Sequence, residues 1–402
     1  MEPFTPEPLP IQSLEWEPLI PLMGKANRAL ASYDGTLAAL PNPDLLLTPL
    51  ATREAVLSSK IEGTQATIGE VLKFEGGEAP ADPQRTLDIA EILNYRRALK
   101  QAQADAEARP FSLNRLLELH RVLMSSVRGQ DKRPGVFRTT QNWIGAPGAD
   151  QQQALFVPPS PLHLQQHLRD WERYFHADDR DVVVQMAVVH AQFEILHPFL
   201  DGNGRLGRML IPLFLHERKV LSRPAFYLSA WLEAHREQYY HCLRGLGREP
   251  GAWNRWCQFF LSGVVEQAEE NRLRAQQALA LYNDLKQQML ARTNSQFAVP
   301  LLDFMFARPV FRAIDLAWPG PFPSRPTLSE ILRALVGSGI VAVIVPPSGR
   351  TPAVYALPAL INLCEGREVV RRPGHAGGGG GGGAPGHAGG SARGLRSAPM
   401  AT

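Results

Sequence analysis

Cysteine is scarce: Cys242, Cys257 and Cys364 are the only three in 402 residues. They are too few and too scattered for a disulfide framework or a zinc site, which fits a reducing compartment. An excess of one charge is also missing. The chain has 42 Lys and Arg against 39 Asp and Glu, a formal net charge of +3. So near-neutral a balance is no argument by itself for nucleic acid. No apolar run nears the ~20 residues that a membrane span needs. The first residues, Met1-Glu2-Pro3-Phe4, offer neither a basic n-region nor an apolar h-region. These absences predict a soluble, cytoplasmic protein without membrane contact, long enough for a large core and more than one domain.

What is present is dominated by helical spacing. Residues 1–22 are proline-rich and read as an extended arm lying on the body. Helix signals run from Leu22 to Leu40 and stop at Pro41-Asn42-Pro43. From about Pro49 to Phe74, Leu57, Ile61, Ile68, Val71 and Leu72 form an apolar stripe. Within it, Ser58 and Glu62 are four apart and share a face. Gly63 weakens a helix there, and close approach of another surface would explain it. On residues alone Glu62 reads as a solvated helix carboxylate. Further helices are predicted from Asp82-Pro83 to Ala102, from Ser112 to Val122, over Leu162 to Phe175, over Val182 to Leu196, and around Trp231 to Tyr240. Trp253 to Val265 continues helical, and Glu266 to Leu290 reads as a charged connector with a solvated polar face.

Chemistry concentrates at His197-Pro198-Phe199-Leu200-Asp201-Gly202-Asn203-Gly204-Arg205-Leu206-Gly207-Arg208. An apolar helix precedes it and another follows. The Gly-Asn-Gly turn exposes backbone N–H groups where the second helix begins, which makes an anion site. Arg205 and Arg208 are three apart and would share a face. His197 is a candidate base and Asp201 a candidate hard-metal ligand. An EF-hand loop is excluded, because Arg205, Leu206 and Pro212 occupy positions that need an Asp or Asn, a Gly and a Glu. A Walker A loop is excluded for want of Gly-Lys-Ser/Thr. An ordinary glycine turn is the remaining alternative.

This stretch resembles the Fic motif, His-x-Phe-x-Asp/Glu-Gly-Asn-Gly-Arg-x-x-Arg, at every fixed position. The resemblance implies a protein adenylyltransferase that moves AMP from ATP to a Tyr, Thr or Ser hydroxyl of a protein. His197 would be the general base and Asp201 the Mg²⁺ ligand. The backbone of Gly202, Asn203 and Gly204 would hold phosphate oxygens, Arg205 would steady the polyphosphate and Arg208 the γ-phosphate. Leu206 and Gly207 complete the nucleotide-binding stretch, and Tyr239 would lie near the adenine. Ser58-x-x-x-Glu62-Gly63 is similar to the family's inhibitory motif, in which the glutamate takes the second arginine, here Arg208. A carboxylate on a guanidinium mimics a pair of phosphate oxygens.

The implied fold is mainly α: a Fic-type helical core with a β-hairpin flap, followed by a small winged-helix (α+β) domain. Residues 1–110 would be an N-terminal helical region with an inhibitory helix at about 49–74. Residues 111–262 would be the catalytic core and 263–296 a helical connector. The flap, at about 136–157, would pair two short strands, Val136–Thr140 and Ala154–Val157, and dock an extended segment of the target by β-augmentation. Over 297–365, helical signals at Leu301–Phe306, Phe311–Ala317 and Leu328–Leu335 precede strands at 340–345 and 353–357, with Arg350 on the wing. Arg325 and Arg333 against Glu330 are a poor basis for DNA affinity, so a protein-contact role ranks above DNA. Residues 366–402, with seven consecutive glycines from Gly377, have too little apolar content to fold. Two other activities are compatible with the motif: removal of AMP by the same site, and transcription regulation with a nucleotide-sensing core. Self-modification and a homodimer are also compatible with it.

Overall fold

The computed structural model describes residues 2–125, 131–145, 150–348 and 352–370. The arm at the start lies on the body as expected. Phe4 N–H donates to Val157 O at 2.9 Å, and the Glu7 carboxylate accepts from Trp253 Nε1 at 2.7 Å. Helix α1 (Ile20–Ala38) follows, and then α2 (Pro43–Ile61), which begins at an Asn42 cap with Pro43 in its first turn.

The expected long segment at about 49–74 is two helices. Helix α2 ends at Ile61 with Glu62 as its C-cap, and α3 (Ile68–Glu75) starts at a capping box between Thr67 and Glu70. Gly63 lies in the break with φ +105°. A Cβ there would meet nothing within 4 Å. Its reason is therefore backbone conformation, which glycine alone takes without strain, and not the close approach inferred from the sequence.

Helices α4 (Pro83–Ala106), α5 (Leu113–Leu123), α6 (Pro161–His176) and α7 (Val182–Leu196) each start at a side-chain cap: Asp82, Ser112, Ser160 and Asp181. Helix α7 is the centre of the body, with every residue from Val183 to Phe193 buried. A helix apolar on all sides must be covered on all sides. Trp171 of α6 and Trp256 donate their indole N–H groups to Val189 O and Ala187 O, each at 2.9 Å. After the glycine loop come α8 (Asn203–Glu217), α9 (Ser229–Ala234) and α10 (Arg236–Gly245).

Helix α11 (Ala252–Thr293) is one 42-residue helix that packs on α1, α2 and α7. The predicted connector is thus a spine. Ala268, Asn271, Ala275 and Ala278, then Leu285 and Met289, form its buried face. Small alanines let neighbouring helices approach closely, and the charges that suggested solvation lie on the other face.

The C-terminal unit runs α12 (Ala298–Ala307), β1 (Val310–Arg312), α13 (Arg325–Gly337), β2 (Ala342–Val345), β3 (Val354–Ala356) and α14 (Pro358–Glu365). The sheet is antiparallel in the order β1-β3-β2, with Val310 opposite Ala356 and Ala342 opposite the same residue. The helix expected at Phe311–Ala317 is replaced by β1 and a 3-10 turn, Ala313–Asp315. Pro309 cannot donate within a helix, and Val310-Phe311 suit a pleated edge. The unit packs on α2, α3 and α11. Arg350 and the tail from residue 371 lie outside the described residues.

Candidate active site

The motif loop is built by hydrogen bonds that the sequence pattern does not announce. His197 ends α7 in the left-handed region, φ 45° and ψ 59°, with its N–H on Phe193 O at 3.0 Å. The buried Arg138 clamps this turn: Nε donates to His197 O at 2.9 Å, and Nη2 to Pro159 O at 2.5 Å and Leu196 O at 3.3 Å. The Arg138 N–H also donates to Pro198 O at 2.9 Å. Within 136–140, Arg138 turns to the loop while Val136 N–H and Thr139 Oγ1 bond to Arg133, so the flap is not the paired hairpin expected. Among the described residues, the flap's one bridge is Ile144 with Phe156. Gly145 closes the first half of this segment, and 146–149 lie outside the described residues.

Asn203 closes the loop from the other side. Its Oδ1 accepts from Phe199 N–H and its Nδ2 donates to Phe199 O, each at 2.9 Å. The Phe199 ring is buried and stacks on His120, centroids 3.7 Å apart. His120 Nδ1 accepts from Gly135 N–H at 2.8 Å, which leaves Nε2 to donate to Asp201 O at 3.0 Å. Both ring nitrogens are engaged in the neutral tautomer, in keeping with burial pushing this imidazole down to about 4.

Helix α8 starts at Gly202, φ +80°, a conformation that L side chains avoid. The first N–H groups of α8, those of Asn203 and Gly204, have no acceptor within the helix, so the positive end of its dipole faces the cavity. The Gly202 N–H is taken by Asp201 Oδ1 at 2.5 Å. Arg205 and Arg208 diverge instead of sharing a face. Arg205 Nη2 reaches Asp201 Oδ1 at 3.3 Å and Nη1 reaches Glu91 Oε2 at 3.2 Å. Arg208 Nε donates to Ser58 Oγ and Nη2 to Ser58 O, both at 2.9 Å, and Nη2 also to Glu62 Oε1 at 2.5 Å. Burial works to raise the Glu62 carboxyl, but the Arg208 charge and hydrogen bond outweigh it and hold it below its ordinary range.

Glu62, Glu194, His197, Gly204, Arg208 and Tyr240 line one cavity, with Ile144, Phe156 and Leu243 on its apolar side. His197 Nδ1 is buried without a partner. Burial first, and then the Arg138 charge, lower this imidazole to about 4. It is a neutral base at pH 7. Leu206 is core. Tyr239 borders the cavity but is buried, its hydroxyl 3.0 Å from His190 Nε2. Tyr240, beside it and only partly buried, is the more open of the two rings. Sequence reasoning missed Tyr240, Glu194, His190, His120 and the role of Arg138. One signal was readable: His190 and Glu194, four apart, are the two titratable residues of a helix otherwise made of apolar residues and two glutamines.

A base beside a helix N-terminus, with an arginine occupied by a carboxylate from another helix, is an arrangement able to receive an anion, in a mainly helical body. Residues 20–104 match the family described as Fic/DOC family N-terminal, and residues 110–215 match the Fic/DOC family. These two matches identify a Fic/DOC N-terminal region and a Fic domain in this chain. Two relatives are named protein adenylyltransferase Fic. The one from Drosophila willistoni is 28% identical over 54% of this chain and 42% of its own length. The one from Drosophila grimshawi is 27% identical over 46% and 35%. The matched region spans less than half of each relative. A Fic family protein from Desulfovibrio desulfuricans G20 has a similar structure, with TM-score 0.52 and 20% identity over 88% of this chain and 98% of that one. That likeness shows the fold. Among the described residues, no helix is long and apolar enough to cross a membrane.

Proposed function

We propose that the protein is an adenylyltransferase that moves AMP from ATP to a Tyr, Thr or Ser hydroxyl of a protein, and that Glu62 holds it inactive. The observation that carries this reading is the Arg208–Glu62 contact at 2.5 Å, beside the free N-terminus of α8 and the unpartnered His197 Nδ1. Only an anion competes for such an arginine, and a terminal phosphate is the anion that extends from a nucleotide seated along this cavity. His197 takes the proton of the attacking hydroxyl. The new bond joins that oxygen to the α-phosphorus, the bond to the β-phosphate oxygen breaks, and pyrophosphate leaves. The N–H groups at the start of α8 stabilise the charge that develops on phosphate oxygens.

A single carboxylate, Asp201, stands at the loop, its side chain a quarter exposed. Among the described residues no group of three or more His, Cys, Asp or Glu could hold a metal alone. That donor set fits Mg²⁺, which is held by one or two carboxylates plus substrate phosphates. Bound there, the ion would neutralise charge on the polyphosphate. Arg205 then keeps Asp201 in place from the Glu91 side. The exposed Leu155, which lines the cavity, suits an extended target segment. The C-terminal unit, with its helix–strand–helix–strand–strand order, reads as winged-helix-like. Arg325, Glu330 and Arg333 are all exposed on α13, a mixed face that favours protein contact over DNA.

The test is transfer of label from α-labelled ATP with Mg²⁺ to a cell lysate. Glu62→Gly protein should label targets strongly, the unaltered protein weakly, and Glu62→Gly with His197→Ala not at all. A reduction on the order of 10²-fold or more is expected from losing a general base. Equal labelling by the single and double variants would rule out His197 as the base.

A further inference from the structure

Glu194 has no place in the steps above, yet it lines the same cavity. Its Oε1 is shielded from solvent and has no hydrogen-bond partner. Buried polar atoms are nearly always paired, so an orphan on a residue that lines a cavity needs a reason. The room it occupies is made by the motif: Gly207 has no side chain, and a Cβ there would collide with Glu194 Oε1.

Its position along the cavity can be derived from His190, one turn earlier on the same face of α7. His190 Nδ1 lies 3.1 Å from Gly207 O on α8, and Nε2 lies 3.0 Å from the Tyr239 hydroxyl on α10. Glu194 therefore sits at the seam between the two walls. Its carboxyl acts on Arg208 to one side and on Tyr239 and Tyr240 to the other. Phosphates belong at the α8 wall, with the helix N-terminus and Arg208. A base belongs at the apolar side, with Ile144, Phe156, Leu243 and Tyr240. What joins phosphate to base in a nucleotide is the sugar, and it must cross that seam.

We propose that Glu194 is the residue that binds the ribose hydroxyls of the nucleotide. The inference rests on the nucleotide reading of the cavity given above. Burial, against the opposing pull of Arg208, pushes this carboxyl up to about 8, so it is largely protonated at neutral pH. A neutral carboxyl donates one hydrogen bond and accepts another, which matches a vicinal diol. It also adds no further negative charge beside a polyphosphate.

The test measures binding of ATP, 2′-deoxyATP and 3′-deoxyATP, with Mg²⁺, to Glu62→Gly protein and to the same protein carrying Glu194→Ala or Glu194→Gln. Loss of one hydroxyl should weaken binding to the Glu62→Gly protein about five- to tenfold, the worth of one hydrogen bond. In Glu194→Ala, ATP should weaken by a similar factor and the preference for ATP over either deoxynucleotide should disappear. Glu194→Gln keeps the volume and one acceptor, and should retain part of the preference. Undiminished preference in Glu194→Ala overturns the assignment, as does a parent protein that binds all three nucleotides alike. Discrimination by Glu194 in a protein that transfers no AMP would leave this inference standing and remove the transferase reading. Transfer without discrimination would do the reverse.

Discussion

Arg208 and Glu62 are 146 positions apart in the chain and meet at 2.5 Å, the guanidinium 1% and the carboxylate 12% exposed. Ser58, one turn before Glu62, takes two more of the arginine's donors. A charge buried this fully depends on its partner. Removing the carboxylate leaves the arginine uncompensated, which costs on the order of 3 kcal/mol. The Glu62→Gly protein should therefore melt at lower temperature than the unaltered protein in the absence of nucleotide. ATP with Mg²⁺ should raise its melting temperature more than that of the unaltered protein, because a phosphate replaces the missing carboxylate. Thermal melts with and without nucleotide decide this. If the two proteins gain equally from ATP, Glu62 does not compete with phosphate. The sign of the pH effect follows from the depressed Glu62 carboxyl: the pair persists at neutral pH and is lost only as pH falls below the ordinary carboxylate range.

Three imidazoles in the body are buried neutral: His120 and His197 titrate at about 4 and His190 at about 3. In the unfolded chain each takes a proton near pH 6.5, whereas the folded protein does not until much lower pH. The unfolded state thus binds more protons across this window, and stability falls as pH falls from 6.5 towards 4. At about 1.4 kcal/mol for each pH unit and each group, the three together remove several kcal/mol. Glu194 works in the opposite sense: with its carboxyl raised to about 8, its contribution is lost as pH rises from 4.5 to 8. Melting temperature should fall steeply between pH 6.5 and 4. A flat profile there would mean that these rings are hydrated or already charged in the folded protein.

The loop from His197 to Arg208 was legible because its chemistry is contiguous: base, carboxylate, glycines and arginines fall within one turn and one helix start. Its partners were less so. Periodicity made Glu62 a solvated carboxylate, and only the resemblance to Fic proteins joined it to Arg208. Arg138 looked like a flap residue, since no pattern shows that a guanidinium will serve four carbonyls. The buried face of α11 was hidden by its composition, because alanines and an asparagine carry a weak hydrophobic signal although they pack tightly. Strand β1, three residues long, is too short for any period to register and is set by pairing with β3. Local chemistry was readable, and what tertiary contact decides was not.

Gly76 tests one of those tertiary contacts. It caps α3, the helix that follows the Glu62 break, and lies against the C-terminal sheet. A Cβ at this position would stand 2.6 Å from Val310 Cγ1, 3.0 Å from Val354 Cγ1 and 3.2 Å from Lys73 O. Its φ is −73°, so an alanine suffers no backbone strain and the whole penalty is steric. Neither valine can swing away, because a β-branched side chain in a strand has little χ1 freedom. The sheet must move off α3 or α3 must tilt. Overpacking of this kind costs roughly 1–3 kcal/mol. Gly76→Ala should lower the urea midpoint without changing the slope of the transition, the sign of a strained native state and not a different unfolded one. Gly35, whose Cβ would meet nothing within 4 Å, is the control. It lies inside α1, where alanine forms helix better than glycine by about 1 kcal/mol. Gly35→Ala should raise the midpoint. If both alanines stabilise, α3 and the sheet are not packed against each other in solution.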